Sequence, residues 1–296
     1  MFEVDCVRRF TVEGEALRGE FVRLGPAWLA LREHADYPPP VRQLLGEAAT
    51  AAVLLAATIK FEGELTLQWQ GDGPVGLLVA QCTHDFRLRA VARYAPERVH
   101  GELRFRELAG EGRMIVSIES ARAPTYQGIV PLAGDSLAAS LEHYFDSSEQ
   151  LQTAIRLAAD DAGTAGLLLQ RLPATVGVTQ DPLERLLAAR ESMSGLGTDE
   201  LLGRRVPDLL QRALPGVDLR LFDSQTVAFQ CRCSAERVQG MLQVLGADEC
   251  RGILAERGRI DITCEFCHKP WQFDAVDVER IFSQPQDRTP GSSAVN

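Results

Sequence analysis

The stretch ITCEFCHKPWQF, residues 262–273, carries Cys264 and Cys267 two residues apart. Two thiols at this spacing are typical of half a zinc site, a redox dithiol or a structural disulfide. The neighbouring residues favour strands, because RIDIT precedes the pair and WQF follows it, which places the cysteines in the turn. A strand, a turn with two cysteines and a second strand form a zinc knuckle, which needs further ligands from elsewhere in the chain.

A second pair, Cys231 and Cys233, lies in FQCRCS, and thirty residues separate Cys233 from Cys264. If residues 227–233 form a strand, the two side chains project from one face, since alternate residues of a strand share a face. The four thiolates can then close a tetrahedral zinc site. The combination of CxC and CxxC at this separation is a far more specific signal than CxxC alone.

The residues between the two pairs predict two short helices, one from the N-cap Ser234 to Gly246 and one over residues 248–258. A thioredoxin-like dithiol requires a helix after the CxxC, whereas Pro270 and a strand follow here. The spacing alone does not exclude a purely structural zinc ribbon. With four thiols available, His268 is expected beside the site or at the surface.

The module from Cys231 to Phe282 has about 50 residues, too few for its core alone to hold it folded. Structural zinc contributes roughly 10–16 kcal/mol to modules of this kind. Two local disulfides restore only about 2 kcal/mol each, because their loops are very short. A CxC disulfide also closes a small, strained ring that is easily reduced. Oxidation with loss of zinc is therefore expected to unfold the module.

Composition and charge exclude several classes of function. The 296 residues carry a net charge of −10, which disfavours nucleic-acid binding. Neither of the two lysines, Lys60 and Lys269, follows a Gly-rich loop, so no P-loop is present. The longest apolar run, residues 48–59, is too short to span a bilayer, so no membrane association is expected. MFEVDCVRRF has no apolar segment typical of a signal peptide, and a cytoplasmic location is predicted.

Hydrophobic periodicity predicts an α+β fold for the first domain, a meander of antiparallel strands covered by helices. The predicted elements are a hairpin over residues 8–24, a helix over 41–59 opened by the prolines at 38–40, strands at 65–70, 75–82, 86–94 and 112–120, and helices at 136–145 and 149–159.

The later part of the chain has a different pattern of residues. Residues 179–229 contain short amphipathic helical patterns interrupted by glycines and prolines, each too short to be stable alone. They predict a metastable helical linker that must dock on another surface to stay folded. The predicted organisation is a core domain at 1–178, this linker at 179–229, the small zinc-binding domain at 230–283 and a disordered tail at 284–296.

The sequence closely resembles the 33 kDa chaperonin family, the redox-regulated heat-shock holdases, over nearly its whole length. The motifs that carry the likeness are YPPPVRQLLGEAATAAVLLAATIKFEGELTLQWQGDGPV (37–75), YQGIVPL (126–132), YFDSSEQL (144–151), GLLLQRLP (166–173), LRLFD (219–223), VAFQCRCSAERV (227–238) and CEFCHKPWQF (264–273). Trp271 stands where the family commonly has tyrosine, a proline often found after SEQL is missing, and Cys250 is an extra thiol in the module.

The resemblance implies a cytoplasmic, ATP-independent chaperone that is not an enzyme and is inactive while zinc is bound. It assigns one Zn²⁺ to Cys231, Cys233, Cys264 and Cys267 in the reduced state. It also makes these residues redox-active, with disulfides Cys231–Cys233 and Cys264–Cys267 after oxidation. Zinc loss then unfolds the module and loosens the linker. The apolar surface exposed in this way binds unfolding client proteins, and the active form is a homodimer.

Two other classes of function compete with this one. A zinc-ribbon module of a transcription or translation factor needs a basic surface, whereas residues 231–282 contain nine acidic and seven basic side chains. A thiol oxidoreductase needs a reactive dithiol in an enzyme site, and the sequence shows neither a convincing Ser/His/Asp set nor a phosphate loop. Cys6 and Cys82 are expected to be structural, and Cys250 is expected to be a small buried residue that could instead compete in disulfide exchange.

Overall fold

The structure, a computed structural model, describes residues 4–120, 122–172 and 182–283. The chain divides into two compact units, Met1–Cys231 and Arg232–Asn296, so the division falls within the CxC pair. Both units combine helices and strands, which confirms the predicted α+β class. The predicted tail at 284–296 and the predicted boundary at 178–179 lie outside the described residues.

The first unit contains two six-stranded sheets, called here the β1 sheet and the β3 sheet. Its strands are β1 (Cys6–Val12), β2 (Leu17–Leu24), β3 (Gly63–Gly71), β4 (Val75–Thr83), β5 (Arg87–Tyr94), β6 (Gly112–Ser120), β7 (Ala123–Pro131), β8 (Thr153–Ala159), β9 (Thr164–Arg171), β10 (Leu219–Leu221), β11 (Gln225–Thr226) and β12 (Ala228–Phe229). Its helices are α1 (Pro26–Leu31), α2 (Pro39–Thr58), α3 (Phe105–Ala109), α4 (Leu137–Tyr144), α5 (Pro182–Ser194), α6 (Thr198–Gly203) and α7 (Val206–Ala213), with a 3₁₀ turn at Pro96–Arg98 and a π-helical turn at Phe145–Glu149.

Helix α2 is the central element of the first unit. It begins at Pro39, because proline is tolerated where the first N–H groups have no helical partner, and this confirms the predicted helix. Its side chains share one core with residues of both sheets, such as Leu168 and Leu67. The helix approaches the β1 sheet closely at Gly46, where a Cβ would lie 2.7 Å from Ala159 Cβ. The helix therefore packs between the two sheets.

The β3 sheet contains the four strands predicted from alternating residues. They are β3 to β6, and each of the four predictions is confirmed. The strand order is β12-β5-β4-β3-β6-β7, so β6 returns beside β3 rather than β5, and the prediction of one simple meander is wrong. The short strand β12 runs parallel to β5, while the other pairs are antiparallel.

The β1 sheet has the order β10-β1-β2-β9-β8, with β11 also paired to β1. The hairpin predicted at 8–24 forms β1 and β2. The helix predicted at 149–159 is wrong, because β8 occupies Thr153–Ala159. This strand is buried on both faces: Ile155 and Leu157 belong to the α2 core, whereas Ala154 and Ala158 face a second core. A strand covered on both sides lacks period-two alternation, and its Ala- and Leu-rich sequence resembles a helix.

The second core lies between the β1 sheet and helices α5 to α7. In α7 the buried residues Val206, Leu209, Leu210 and Ala213 follow the spacing of one helical face. They pack with side chains of β1, β2 and β9, namely Phe10, Leu17, Phe21, Leu167 and Leu169. Residues 182–214 therefore cover the face of the β1 sheet that is opposite α2.

The second unit is a small helical and β module. It comprises α8 (Ala235–Leu245), α9 (Ala247–Arg257), β13 (Ile260–Thr263), β14 (Pro270–Phe273) and α10 (Ala275–Ser283). The Ser234 hydroxyl accepts a hydrogen bond from the Arg237 N–H, which confirms the predicted N-cap. Among residues 232–283, the core of the module comprises a few buried side chains, which include Val238, Cys250, Phe273 and Val278. No described helix is both long and apolar enough to cross a membrane.

Candidate metal centre

The CxxC pair occupies the turn between the antiparallel strands β13 and β14. The Cys264 N–H donates to the Lys269 carbonyl at 3.0 Å, and the His268 N–H donates to the Cys264 carbonyl at 2.8 Å. His268 has a φ of +55°, which tightens the turn in the left-handed region. Cys267 is buried and Cys264 is half-buried. These bonds give the strand-turn-strand knuckle that the sequence predicted.

The CxC pair lies between β12 and α8, outside any strand. The strand over 227–233, considered as a condition for bringing the two thiols together, does not form, because regular pairing covers Ala228–Phe229 and ends before Cys231. The Gln230 N–H makes one further bond, at 2.9 Å, to the Leu88 carbonyl. The capped start of α8 follows directly at Ser234. The orientation of Cys231 and Cys233 is therefore set by the segment between a strand end and a helix cap.

The four cysteine sulfurs form one group, with all ligand atoms within 4.8 Å of one another. Cys233 Sγ and Cys267 Sγ are 3.4 Å apart. Tetrahedral zinc with Zn–S bonds of about 2.3 Å requires sulfurs about 3.8 Å apart. The spacing of the described sulfurs fits this requirement, and an all-sulfur donor set suits a soft, tetrahedral ion such as Zn²⁺. Cys231, Cys233, Cys264 and Cys267 could hold such an ion.

The side chains next to the knuckle provide a packing layer and a cation. Lys269 Nζ lies 4.6 Å from the centroid of the Trp271 ring, within the range of a cation–π interaction. Trp271 also packs against the core of the module.

The other three cysteines, Cys6, Cys82 and Cys250, are buried and do not belong to this group. Burial raises the pKa of the Cys82 thiol well above its usual value, and burial also raises the pKa of Cys250. Cys250 Sγ lies 3.7 Å from the Leu242 carbonyl oxygen inside the core of the second unit. No disulfide joins any of the seven cysteines, all of which lie in the described ranges. Thiols with raised pKa values react slowly, which suits a structural role.

Two arginines that the sequence reasoning missed hold residues of the predicted linker. Arg23 in β2 is 2% exposed, and its guanidinium donates to the carbonyls of Leu201 and Arg204 at 2.7 and 2.6 Å. Arg156 in β8 donates to the Leu196 carbonyl at 3.1 and 2.9 Å. These carbonyls lie at the ends of α5 and α6, where backbone acceptors lack helical partners. The available signal was an arginine within an apolar strand.

Comparison with known proteins places the chain in a family. The model of the family described as Hsp33 protein matches residues 5–274. A 33 kDa chaperonin of Nitrosococcus oceani is 41% identical over 280 residues, 95% of each chain. Another, from Shewanella sediminis, is 38% identical over 284 residues, which are 95% of this chain and 97% of the relative.

A solved structure supports the fold. The crystal structure of a 33 kDa chaperonin (heat shock protein 33 homolog) from Thermotoga maritima superimposes with a TM-score of 0.78 at 21% identity, covering 94% of this chain and 97% of the other. The relatives bear the name of a chaperonin and not of an enzyme. The chain therefore belongs to the Hsp33 family of 33 kDa chaperonins.

Proposed function

We propose that the protein is a redox-regulated, ATP-independent holdase of the cytoplasm that is inactive in its reduced, zinc-bound form. The observation that supports this most strongly is the group of four cysteines within 4.8 Å in a module with little core of its own. All four cysteines, Cys231, Cys233, Cys264 and Cys267, act both as zinc ligands and as the redox centre. When bound, zinc cross-links the two cysteine pairs and stabilises the module.

Oxidation removes the thiolate donors. In each pair, two thiolates transfer two electrons to one H₂O₂: the S–S bond forms, the O–O bond breaks, and the two hydroxide ions released take up two protons from the buffer to give two H₂O. We propose the pairs Cys231–Cys233 and Cys264–Cys267, which form between near neighbours in the chain. The module then loses a stabilising free energy of roughly 10–16 kcal/mol from the metal and gains only about 2 kcal/mol from each short disulfide loop. This deficit unfolds it.

Unfolding of the module reaches the first unit through the chain itself. Cys231 follows β12 after one residue, and β12 holds only two residues against β5. The chain before β12 forms β11, β10 and helices α5 to α7, which cover the second core. We propose that residues 179–229 act as the linker that loosens once the module unfolds. Leu209, Leu210 and their sheet partners then become accessible to unfolding clients.

The partners follow from this surface. An apolar face uncovered on a protein with a net charge of −10 suits unfolded polypeptides and disfavours nucleic acids. The same exposed face favours association of two copies, so we propose a homodimer in the active form. No membrane partner is proposed, because client capture by this surface requires none.

The test compares client protection in three samples of the full chain. Reduced, zinc-loaded protein is expected to leave a heat-unfolding client to aggregate. Peroxide treatment at elevated temperature is expected to release one zinc per chain and to suppress aggregation, and a thiol reductant with added zinc is expected to reverse both. The matched control replaces all four clustered cysteines with serine, which removes the response to peroxide. Equal protection by the reduced protein, the oxidised protein and this variant would contradict the proposal.

A further inference from the structure

Strand β1 has its outer edge covered by a segment of the predicted linker. In the β1 sheet, β2 lies on one side of β1, and β10 and β11 lie on the other. The pairing is antiparallel and short: Phe10, Thr11 and Val12 face Leu221, Arg220 and Leu219, and Cys6 and Val7 face Thr226 and Gln225. A strand of seven residues is thus covered at this edge by two very short strands.

Hydrogen bonds identify which residues of β1 direct their backbone groups to this edge. The Phe222 N–H donates to the Arg9 carbonyl at 3.0 Å, and the Glu13 N–H donates to the Asp218 carbonyl at 2.9 Å. The Val227 N–H donates to the Asp5 carbonyl at 2.8 Å. Since successive residues of a strand direct their groups to opposite sides, the odd-numbered residues of β1 serve the outer edge and the even-numbered residues serve β2.

The covering strands β10 and β11 are poorly buried. Gln225 and Thr226 are exposed, and Leu219 and Leu221 are only half-buried against the second core. Phe222, which lies between β10 and β11, is 37% exposed. Strands of two and three residues contribute little by themselves, so their position depends on the docked helices that precede them. Release of those helices leaves the edge of β1 open.

We propose that the open edge of β1 is a client-binding site, at which an extended segment of an unfolded protein adds as an antiparallel strand in place of β10. This inference rests on the proposed function and specifies how clients are bound. The covering segment indicates the chemistry of the partner: an unstructured chain with apolar side chains at alternate positions, as in Leu219 and Leu221. Main-chain hydrogen bonds do not depend on the client's sequence, which suits a chaperone with many clients.

Side chains at the edge add to this recognition. Arg8 Nε donates to the Phe222 carbonyl at 2.8 Å, so a guanidinium assists the binding of an extended backbone. Arg9 is paired with Glu20 of β2 at 2.7 Å, so Arg8 is the β1 cation that contacts the covering segment. The site is therefore expected to prefer neutral or acidic apolar segments over basic ones.

A peptide with the chain's own residues 217–227, VDLRLFDSQTV, tests the site directly. Labelled with a fluorophore, it is expected to bind the oxidised full-length protein saturably, to compete with a client, and to bind the reduced protein at least about tenfold more weakly. A peptide with Arg220→Pro loses an N–H opposite Thr11 and is expected to bind about tenfold more weakly. A peptide with Ser224→Pro, changed between the two paired stretches, is the matched control and should keep its affinity.

Hydrogen exchange with a real client separates strand addition from other modes of capture. The amides of Val7, Arg9 and Thr11 are expected to be protected in the reduced protein, to exchange rapidly after oxidation and to regain protection when client binds. The amides of Arg8 and Phe10 should stay protected throughout, because they pair with β2. Strand addition is wrong if the oxidised protein suppresses aggregation but the odd-numbered amides remain unprotected when client binds. It is also wrong if these amides never lose their protection on oxidation. In either case the proposed holdase function is unaffected. If the oxidised protein suppresses no aggregation, the proposed function itself fails.

Discussion

Arg23 shows how one residue couples the core to the helices that cover it. Its side chain is almost fully buried on the face of β2 that also carries Phe21, and its guanidinium lies 5.0 Å from the centroid of that ring. A buried cation is costly unless it is well bonded. The carbonyls of Leu201 and Arg204 supply those bonds from the end of α6. The residue therefore stabilises the docked form of residues 182–214.

Replacement Arg23→Met is expected to loosen α6 without touching the cysteines. Hydrogen bonds to a charged group contribute about 1.5–3 kcal/mol, and their loss leaves two carbonyls without this donor. Client aggregation assays of the reduced variant, with zinc content measured in parallel, should show partial protection at full zinc occupancy. Arg18→Met is the control, because Arg18 donates to the Thr58 carbonyl and to Gln170 rather than to the linker. Protection equal to that of the unchanged protein would show that Arg23 does not hold the linker.

Cysteine substitutions distinguish zinc ligands from structural cysteines within the second unit. Cys267→Ser is expected to lower zinc affinity by orders of magnitude, because serine replaces a thiolate in a four-sulfur site. Cys250→Ala should retain one zinc per chain, since Cys250 lies in the core outside the group. Zinc released by a colorimetric chelator measures both. Retention of tightly bound zinc by Cys267→Ser would remove Cys267 from the ligand set.

At the scale of elements, hydrophobic periodicity predicted the strands that have one face exposed to solvent and the long helix. Helix α2 and strands β3 to β6 have such patterns, and the structure contains them. Strand β8 was missed because helices cover both of its faces, which makes its apolar run continuous. A strand through the CxC segment would have placed both thiols on one face, but pairing ends at Phe229. Strands β10 and β11 are too short for any periodicity, and only the neighbouring β1 defines them.

The candidate site, too, was only partly predictable from the sequence. Spacing alone grouped the four cysteines, and their sulfurs do lie together; their roles as zinc ligands and as a redox centre stay predictions. The contacts of Arg23 and Arg156 join residues more than 30 positions apart, so no local pattern contains them.

Helix α7 offers a test of linker docking. Leu210 is fully buried in the second core, and Leu210→Ala is expected to cost about 2–5 kcal/mol of docking stability. The variant should reach full client protection at a lower peroxide dose or temperature than the unchanged protein. Leu187→Ala in α5, where the side chain is 51% exposed, is the matched control and should leave the dose unchanged. An unchanged activation threshold for Leu210→Ala would separate α7 docking from regulation.

At the scale of the whole molecule, the two compact units differ in what holds them folded. The first unit has two extensive cores, one around α2 and one beneath α5 to α7. The second has one small core and the cysteine group. A domain of about 50 residues with so little buried apolar surface needs a further source of stability. The metal supplies it in our account.

Chelation without an oxidant should therefore unfold the second unit and loosen the linker, while the core around α2 stays folded. A strong zinc chelator at neutral pH is expected to raise hydrogen exchange in α8, α9, α10 and the β13–β14 pair to the rate of an unfolded chain. The amides of α2 and of β3 to β6 should keep their protection. Exchange measured by mass spectrometry resolves these segments, and a second unit that stays protected after zinc removal would show that its core suffices.

We propose that metal loss and the gain of chaperone activity are one event. The most direct measurement follows zinc release and client protection in the same sample during peroxide treatment at elevated temperature. We expect protection to rise only as zinc leaves, to reach its limit at one zinc released per chain, and to disappear when reductant and zinc are returned. Full protection by protein that still holds its zinc, or complete zinc release without any gain in protection, would contradict it.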